Sequence, residues 1–282
     1  MTLLSVPHSR FKPDQWGINP AHVDAPWAWT AGASWAPGLA PGKQLRLYGK
    51  LGAAVPGETG SPTEGVGAWG RTTHYDGASS THCDHVFDWV TQPWTLTIVF
   101  STTDTTGGAV FFGAGSSASG TPLAILQNRD TSGSAGLKFQ LRDANSDSYQ
   151  VSLTGTPHRD GLPHTVVVRW TGSGGVLRAW LDGTELPDSS VSNPVDAVTS
   201  FNTFTVGSIR RVSEGLYAVC DVGAWGIVQD EVWSEATVAE YSHDPFKPFR
   251  PDYSQFWGKV GAGAAPSGFF ARSYYDQHLG AA

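Results

Sequence analysis

The sequence predicts an all-β protein, one antiparallel β-sandwich with irregular ends. Three observations predict it. Apolar and polar residues alternate with period two through a series of short segments between residues 94 and 225, the signature of strands with one buried face. Turn-forming clusters separate those segments at 104–108, 113–120, 131–136 and 172–175 and at Asp182-Gly183, where glycine and Asp-Gly supply the backbone freedom a reversal needs. The chain holds 34 glycines and 18 prolines with only 15% charged residues, which excludes a coiled coil or a helix bundle. Its 282 residues suit a single sandwich, a fold that runs past 200 residues without dividing.

The elements follow in order. Residues 1–70 are rich in Pro, Gly, Ala and Trp and show no sustained periodicity, so they are expected as an extended arm. Trp16, Trp27, Trp29, Trp35 and Trp69 make that arm a set of anchors that dock on a surface. The sandwich is expected over 71–252. In PWTLTIVFS, Trp94, Leu96, Ile98 and Phe100 share one face; in LKFQLRD, Leu137, Phe139 and Leu141 point inward and Lys138, Gln140 and Arg142 outward. YQVSL, HTVVVRW, VLRAWLDG, FTVGSI and GLYAVCDVGAW continue the pattern, as half-buried strands with solvent or a second sheet on the other side. One helix is expected in SEATVAEYS, capped by Ser234, with Val238 and Tyr241 on its buried face and Pro245 as its stop. Residues 253–282 form a Gly/Ala-rich linker and an aromatic tail with Phe269, Phe270, Tyr274 and Tyr275.

Charge and composition exclude several functions. A net charge of −7 excludes a general nucleic-acid binder, which needs a basic footprint. No run of about 18 apolar residues is present, so no membrane-spanning helix is expected. Residues 1–13 lack the apolar core of a signal peptide. Cys83 and Cys220 make no disulfide framework and are expected as reduced, buried small hydrophobes, in keeping with a reducing compartment.

Chemistry-bearing clusters are few. Glycoside hydrolysis needs two carboxylates held at a fixed separation, and no strand carries alternating acids. Glu231 with Glu235, and Asp143 with Asp147, read as solvated surface, so no catalytic residue and no enzymatic activity is expected. THCDHVFD holds His82, Asp84, His85 and Asp88, with Cys83 pointing away from His82. Alternation puts His85 opposite the other three, which does not make a zinc site. Asp76 and Asp182 each precede Gly and read as turn residues. His164 opens a strand and reads as a structural histidine. Trp225 and Trp233 read as core packing, the other reading being an aromatic sugar platform.

The order of these segments resembles a known family. HYDGASSTHCDHVFDWVTQPWTLTIVF is similar to the opening of a laminin-G-like, concanavalin A-like domain, HTVVVRWTGSGGVLRAWLDG to its central hairpin, and LYAVCDVGAWGIVQDEVWSEATVAEYSHDPFKPFRP, with Asp221, to its final strand and short helix. The resemblance covers about residues 72–252 and implies a jelly-roll sandwich of the lectin–glucanase kind. It also implies calcium candidates at a sandwich edge, Asp84, Asp104, Asp130 and Asp143. QWGINPAH and HDPFKPFRP resemble laminin-G-like proteins encoded by tailed phages. That resemblance implies a non-enzymatic virion component, assembled in the bacterial host cytoplasm: a capsid decoration, head-fibre or tail-associated subunit. Trp16, Trp27, Trp29, Trp35, Phe269, Phe270, Tyr274 and Tyr275 would then dock on capsid or tail proteins or on a sister subunit in a homo-oligomer. The alternative function is a carbohydrate-binding module that recognises host or environmental glycans.

Overall fold

The computed structural model describes residue 28 and residues 33–37, 48–49, 57–67, 70–129, 135–197 and 200–249. In chain order the strands are β1 (Ala33–Pro37), β2 (Tyr48–Gly49), β3 (Gly57–Thr59), β4 (Thr63–Gly67), β5 (Gly70–Asp76), β6 (Ser80–Asp88), β7 (Trp94–Ser101), β8 (Val110–Ser116), β9 (Ser119–Arg129) and β10 (Gly136–Arg142). They continue with β11 (Ser148–Thr154), β12 (His164–Trp170), β13 (Leu177–Leu181), β14 (Thr184–Glu185), β15 (Asp188–Ser192), β16 (Ser200–Val206), β17 (Ile209–Arg210), β18 (Glu214–Gly215) and β19 (Val219–Gln229). One α-helix, α1 (Glu235–His243), follows.

Two antiparallel sheets pack face to face. The first runs β14-β13-β12-β7-β19-β1-β2, with β5 on the early half of β19 and β4 beside β5. The second runs β15-β11-β10-β9-β8-β16-β6-β3. This is the all-β sandwich that the alternation predicts. Between the sheets lies one apolar cluster. Trp94, Leu96, Ile98 and Phe100 of β7 and Val166, Val168 and Trp170 of β12 meet Leu137, Phe139 and Leu141 of β10 and Phe112 of β8. Trp89 sits at its centre, with ring centroids 5.0 Å from Trp94 and 5.2 Å from Phe204. Each such side chain contributes about 1.5–3 kcal/mol on burial. Cys83 and Cys220 are free and buried in the same cluster.

The first sheet departs from the expected half-buried pattern. Thr95, Thr97 and Val99 of β7 and Val167 of β12 point away from the core yet are 2% exposed or less. Their cover is a second apolar cluster of Trp35, Trp180, Trp233, Val238 and Tyr241, supplied by β1, β13, α1 and the segment that leads into α1. Ser234 caps α1 by accepting from the Thr237 N–H at 3.1 Å, and Val238 and Tyr241 are its buried residues. Among the described residues no helix is long and apolar enough to cross a membrane.

The N-terminal stretch departs from the expected arm. β1 to β4 all lie within residues 1–70, and β1 pairs with β19 over Ala33–Val228 to Pro37–Ala224. Trp35 is fully buried and stacks on Trp233 at 6.1 Å. Its contact surface is therefore taken up by its own chain, which removes it from the partner-docking set. The physical reason is Gly226, opposite Trp35 in the ladder: a Cβ there would lie 2.3 Å from Trp35 Cε3, so only glycine leaves room for the indole. Trp16, Trp27, Trp29, Trp69, Phe269, Phe270, Tyr274 and Tyr275 lie outside the described residues.

Candidate functional site

The second sheet keeps an open outer face. On β10 the burial alternates, with Leu137, Phe139 and Leu141 fully buried and Lys138, Gln140 and Arg142 partly exposed. The register sets three strands of outward side chains side by side. Lys138 lies between Gln127 and Ser152, Gln140 between Ile125 and Gln150, Arg142 between Leu123 and Ser148, and Arg129 stands across from Gly136. Neighbouring strands are about 4.8 Å apart and same-face residues about 7 Å apart along a strand; on this grid Arg129, Lys138, Gln140, Arg142 and Gln150 are partly exposed, and Leu123, Ile125, Gln127, Ser148 and Ser152 are buried between them.

The β17–β18 hairpin forms one wall of this floor. It folds over β8, where Ile209 packs with Val110, Leu123 and Ile125. Close approach depends on Gly113 and Gly115, where a Cβ would sit 3.0 Å from Ile209 Cβ and 2.8 Å from the Arg210 carbonyl oxygen. Glu214 ties the hairpin down, accepting from Thr59 Oγ1 at 2.6 Å, from Ser208 Oγ at 3.1 Å and from the Ser80 hydroxyl. Burial works against the charged carboxylate, and these three donors outweigh it, holding Glu214 below the usual glutamate range.

Four cations line the floor and wall. Arg142 Nη2 donates to the Gly120 carbonyl at 3.0 Å and Arg211 Nη1 to the same oxygen at 3.1 Å. Arg129 Nη1 donates to Ser152 Oγ at 3.2 Å, and Lys138 Nζ to Gln140 Oε1 at 3.4 Å. Burial, then the neighbouring Arg129 and Arg142, lowers the pKa of Lys138. Burial, then Arg211, lowers that of Arg142. Elsewhere among the described residues Arg169 and Arg178 pair with Glu235, Arg210 with Asp84, and Lys247 with Glu240, while Arg159 bonds the Asn128 amide oxygen.

Beyond the hairpin, over β6 and β16, a shallow groove of about 510 Å³ is lined by Asp84, Val86, Ser117, Asn202 and Arg210. Asn202 and Ser117 bond reciprocally: the Ser117 N–H donates to Asn202 Oδ1 at 2.9 Å, and Asn202 Nδ2 donates to Ser117 Oγ at 2.8 Å.

The expected site residues are scattered across the sandwich. Asp84 is exposed on β6 and pairs with Arg210 at 3.1 Å. Asp104 is buried and accepts from the Thr106 and Val219 N–H groups at 2.7 and 2.9 Å. Asp143 is fully buried and accepts from the N–H groups of Asn145, Asp147, Asp196 and Ala197. Asp130 lies outside the described residues. The three described candidates therefore do not converge on one calcium site. Two of them use their oxygens to close backbone turns, and among the described residues no group of three or more His, Cys, Asp or Glu is placed to hold a metal.

Asp88 of the THCDHVFD segment likewise caps a turn through the Val90 and Thr91 N–H groups, and the side chain of His85 is outside the described set. Asp147 bonds Asn193 and Glu235 bonds two arginines, so neither acidic pair is a paired-carboxylate site. Asp76 closes its turn onto the Ala78 N–H at 2.9 Å, and Asp182 has a φ of 50° before Gly183. Trp225 and Trp233 are both 2% exposed, placed in the inner and outer apolar clusters.

His164 lies between two carboxylates. Its Nδ1 is 2.7 Å from Asp182 Oδ2 and its Nε2 3.0 Å from Asp160 Oδ1. A neutral imidazole donates from one nitrogen only, so this clamp favours the imidazolium and raises the pKa, through Asp182 first and against the cost of burial. The clamp pins the β13–β14 turn to the loop before β12, a structural role.

Sequence reading named Lys138, Gln140 and Arg142 as outward residues without seeing a site. The signal lay in their shared parity with Gln127, Arg129, Gln150 and Ser152. Strand order, which brings β9, β10 and β11 together, was needed to read it.

No protein-family model matches the sequence, and no curated protein matches it. Solved structures share its fold. Domain 4 of AbnA, a GH43 extracellular arabinanase from Geobacillus stearothermophilus, solved in complex with arabinotriose, has a TM-score of 0.52 at 13% identity, over 75% of this chain and 99% of that one. The CBM40 of the Ruminococcus gnavus IT-sialidase gives 0.43 at 12% identity, over 56% and 92%. The NanB sialidase of Streptococcus pneumoniae gives 0.43 at 18% identity over 64% of this chain and 28% of its own, so the chain spans little more than a quarter of that enzyme.

Proposed function

We propose that this chain is a glycan-binding module and that the outer face of its second sheet is the binding surface. The observation that supports this is the floor of Arg129, Lys138, Gln140, Arg142 and Gln150, partly exposed on three adjacent strands beside a wall anchored by Glu214. Planar amides and guanidinium groups make paired hydrogen bonds to vicinal hydroxyls, and a sheet holds them at fixed spacing with little entropy left to lose on binding. The fold is shared with an arabinanase domain solved with arabinotriose, which is in keeping with a binding role. A hydrolytic reading lacks support, because the carboxylates that could pair are engaged in turns and ion pairs. The virion role expected from the flanking segments finds no support in the fold or in its structural neighbours, and the expected docking aromatics other than Trp35 lie outside the described residues.

A glycan array followed by titration calorimetry on the whole chain tests the proposal. Binding of an oligosaccharide that is lost in Gln140→Ala, with the circular dichroism spectrum unchanged, supports it. No binding across the array by folded protein overturns it.

A further inference from the structure

We infer that the ligand of this face is an acidic glycan, a saccharide chain bearing carboxylate or sulfate groups, which lies along β10 against Arg129, Lys138, Arg142 and Arg211. The inference rests on the glycan-binding reading and names its ligand class.

Charge placement is the first argument. The chain has a net charge of −7, yet these four cations share one face, and among the described residues none has a carboxylate within ion-pair distance. On the opposite sheet Arg169 and Arg178 share Glu235, and Arg178 also meets Glu185. On the outer face of that sheet, the described arginines are therefore neutralised. Those on the open floor are held against one another with their stems partly buried, an arrangement that an arriving anion relieves.

Preorganisation is the second argument. Arg142 and Arg211 are fixed on the Gly120 carbonyl and Arg129 on Ser152. Each guanidinium has five N–H donors, and these contacts leave donors over for a ligand oxygen. Carboxylate and sulfate present the planar or multiple oxygens that such forks recognise.

Spacing is the third. Arg129 stands at the level of Gly136, six residues along β10 from Arg142, or roughly 20 Å at strand rise. Lys138 lies between them. A row of that length suits an extended polymer with repeated charges better than a small anion. Gln140 and Gln150, both partly exposed, fill the space between the cations with amides suited to sugar hydroxyls. The floor side chains are not the stacking aromatics on which single-stranded nucleic acids rest, so a glycan is the better occupant than a nucleic acid.

The test uses the whole chain and four probes: alginate oligosaccharides, dextran sulfate, neutral dextran and single-stranded DNA, each titrated at 50 and 200 mM NaCl. The expected result is binding to one or both acidic glycans, weakened severalfold by the added salt, and weaker or absent binding to dextran. Lys138→Gln and Arg142→Gln should each reduce affinity about tenfold, the scale of one charge-assisted hydrogen bond, and Arg129→Gln provides a third variant should one of these fail to fold. Arg178→Gln, on the other sheet, should change nothing. Loss of alginate but not of dextran sulfate binding, or the reverse, assigns the anion. Equal, salt-insensitive binding of dextran and the acidic glycans, unaffected by these substitutions, overturns the acidic ligand and leaves the glycan-binding reading standing. No binding to any glycan overturns both. Tighter binding of DNA than of either acidic glycan, lost in the same variants, shows that the class of polymer is wrong.

Discussion

The outer faces of the two sheets are built on the same pleat and end differently. On β12 of the first sheet the outward residues are Thr165, Val167 and Arg169; on β10 of the second they are Lys138, Gln140 and Arg142. The first face is apolar enough to need a cover and receives one. Trp35 lies on Gly226, Trp233 and Tyr241 close over Val167 and Val228, and Arg169 reaches across Trp180 at 4.7 Å to donate to the Trp233 carbonyl. Among the described residues the second face is covered over β8 and over Leu123 and Ile125 of β9, where Gly113 and Gly115 admit the hairpin, and is polar from Gln127 and Arg129 across β10 to β11. Alternation decides what lies between the sheets. The identity of the outward residues decides whether an outer face becomes a second core or a binding surface.

The largest expected effect breaks the covered face. Trp35→Ala removes a fully buried indole that contacts Trp233, Tyr241 and Phe249. Truncating a buried tryptophan costs about 3–5 kcal/mol, and urea or thermal unfolding should show a loss of that size. A loss under about 1 kcal/mol would mean that β1 is not part of the folded sandwich.

The same contrast explains what the sequence could reveal. Inward residues such as Trp94, Leu96, Ile98 and Phe100 alternate in plain view, and the capped helix at Ser234 follows local rules, so the sandwich and α1 were legible. β1 was not, because ASWAP pairs with β19 from nearly two hundred residues away and only the notch at Gly226 gives it a place. Two of the calcium candidates illustrate a related point. Asp104 and Asp143 are acids in turns, and sequence does not distinguish an aspartate that closes a turn onto backbone N–H groups from one that awaits a cation. The cationic floor was hidden because its members come from three strands and a hairpin, and only the register aligns them.

The next effect concerns the crossing between the sheets, after β11 and before β12. His158 is fully buried there. Asn128 uses its amide N–H groups on the Asp104 and Thr106 carbonyls, so its Oδ1 accepts and His158 Nε2 must donate, at 2.9 Å. That leaves Nδ1 buried without a partner, and a proton there would have no acceptor. Burial first, then Arg159, pushes the pKa down to about 4. The stabilisation from keeping His158 neutral is full above the ordinary histidine value near 6.5 and is lost as pH falls through 4, a change of up to about 3 kcal/mol. His164, raised by its two aspartates, has the opposite sign: its clamp is at full strength below about 6.5 and weakens as pH rises through the raised value. Urea unfolding between pH 7 and pH 4 should show a steep loss that flattens in His158→Gln. In Asp182→Asn the gain on acidification that His164 provides should shrink. An unchanged pH slope in His158→Gln would show that His158 is accessible to protons in the fold.

A smaller effect sharpens the boundary of the open face. Gly113→Val drives a side chain into Ile209 and the Ser208 carbonyl. Overpacking of this kind costs about 1–3 kcal/mol, and here the β17–β18 hairpin can lift rather than the sandwich distort. The expected signature is a modest fall in melting temperature together with faster amide exchange at 209–215, and a loss of glycan affinity because Arg211 moves with the hairpin. Exchange that rises throughout β8, β9 and β16 instead would show that the hairpin is part of the sheet's stability and not a wall set upon it.

The smallest stability effect belongs to the floor itself. Gln140 is half-buried, flanked by Ile125 and Gln150 in the register, and its Oε1 accepts from Lys138 Nζ at 3.4 Å. Replacing it with Ala removes no core contact, since Phe139 and Leu141 on either side point into the sandwich. Such surface changes stay within about 0.5 kcal/mol. The amide lies at the centre of the cationic row, so its loss should weaken glycan binding while the unfolding midpoint is unchanged. Trp35→Ala should do the converse, reducing stability while the fraction that remains folded binds at full affinity. The two substitutions form a double dissociation between the faces, read by calorimetry on one axis and urea unfolding on the other. If Gln140→Ala instead costs as much stability as a core substitution, the floor is a third layer of packing, and the division between a covered and an open face is wrong.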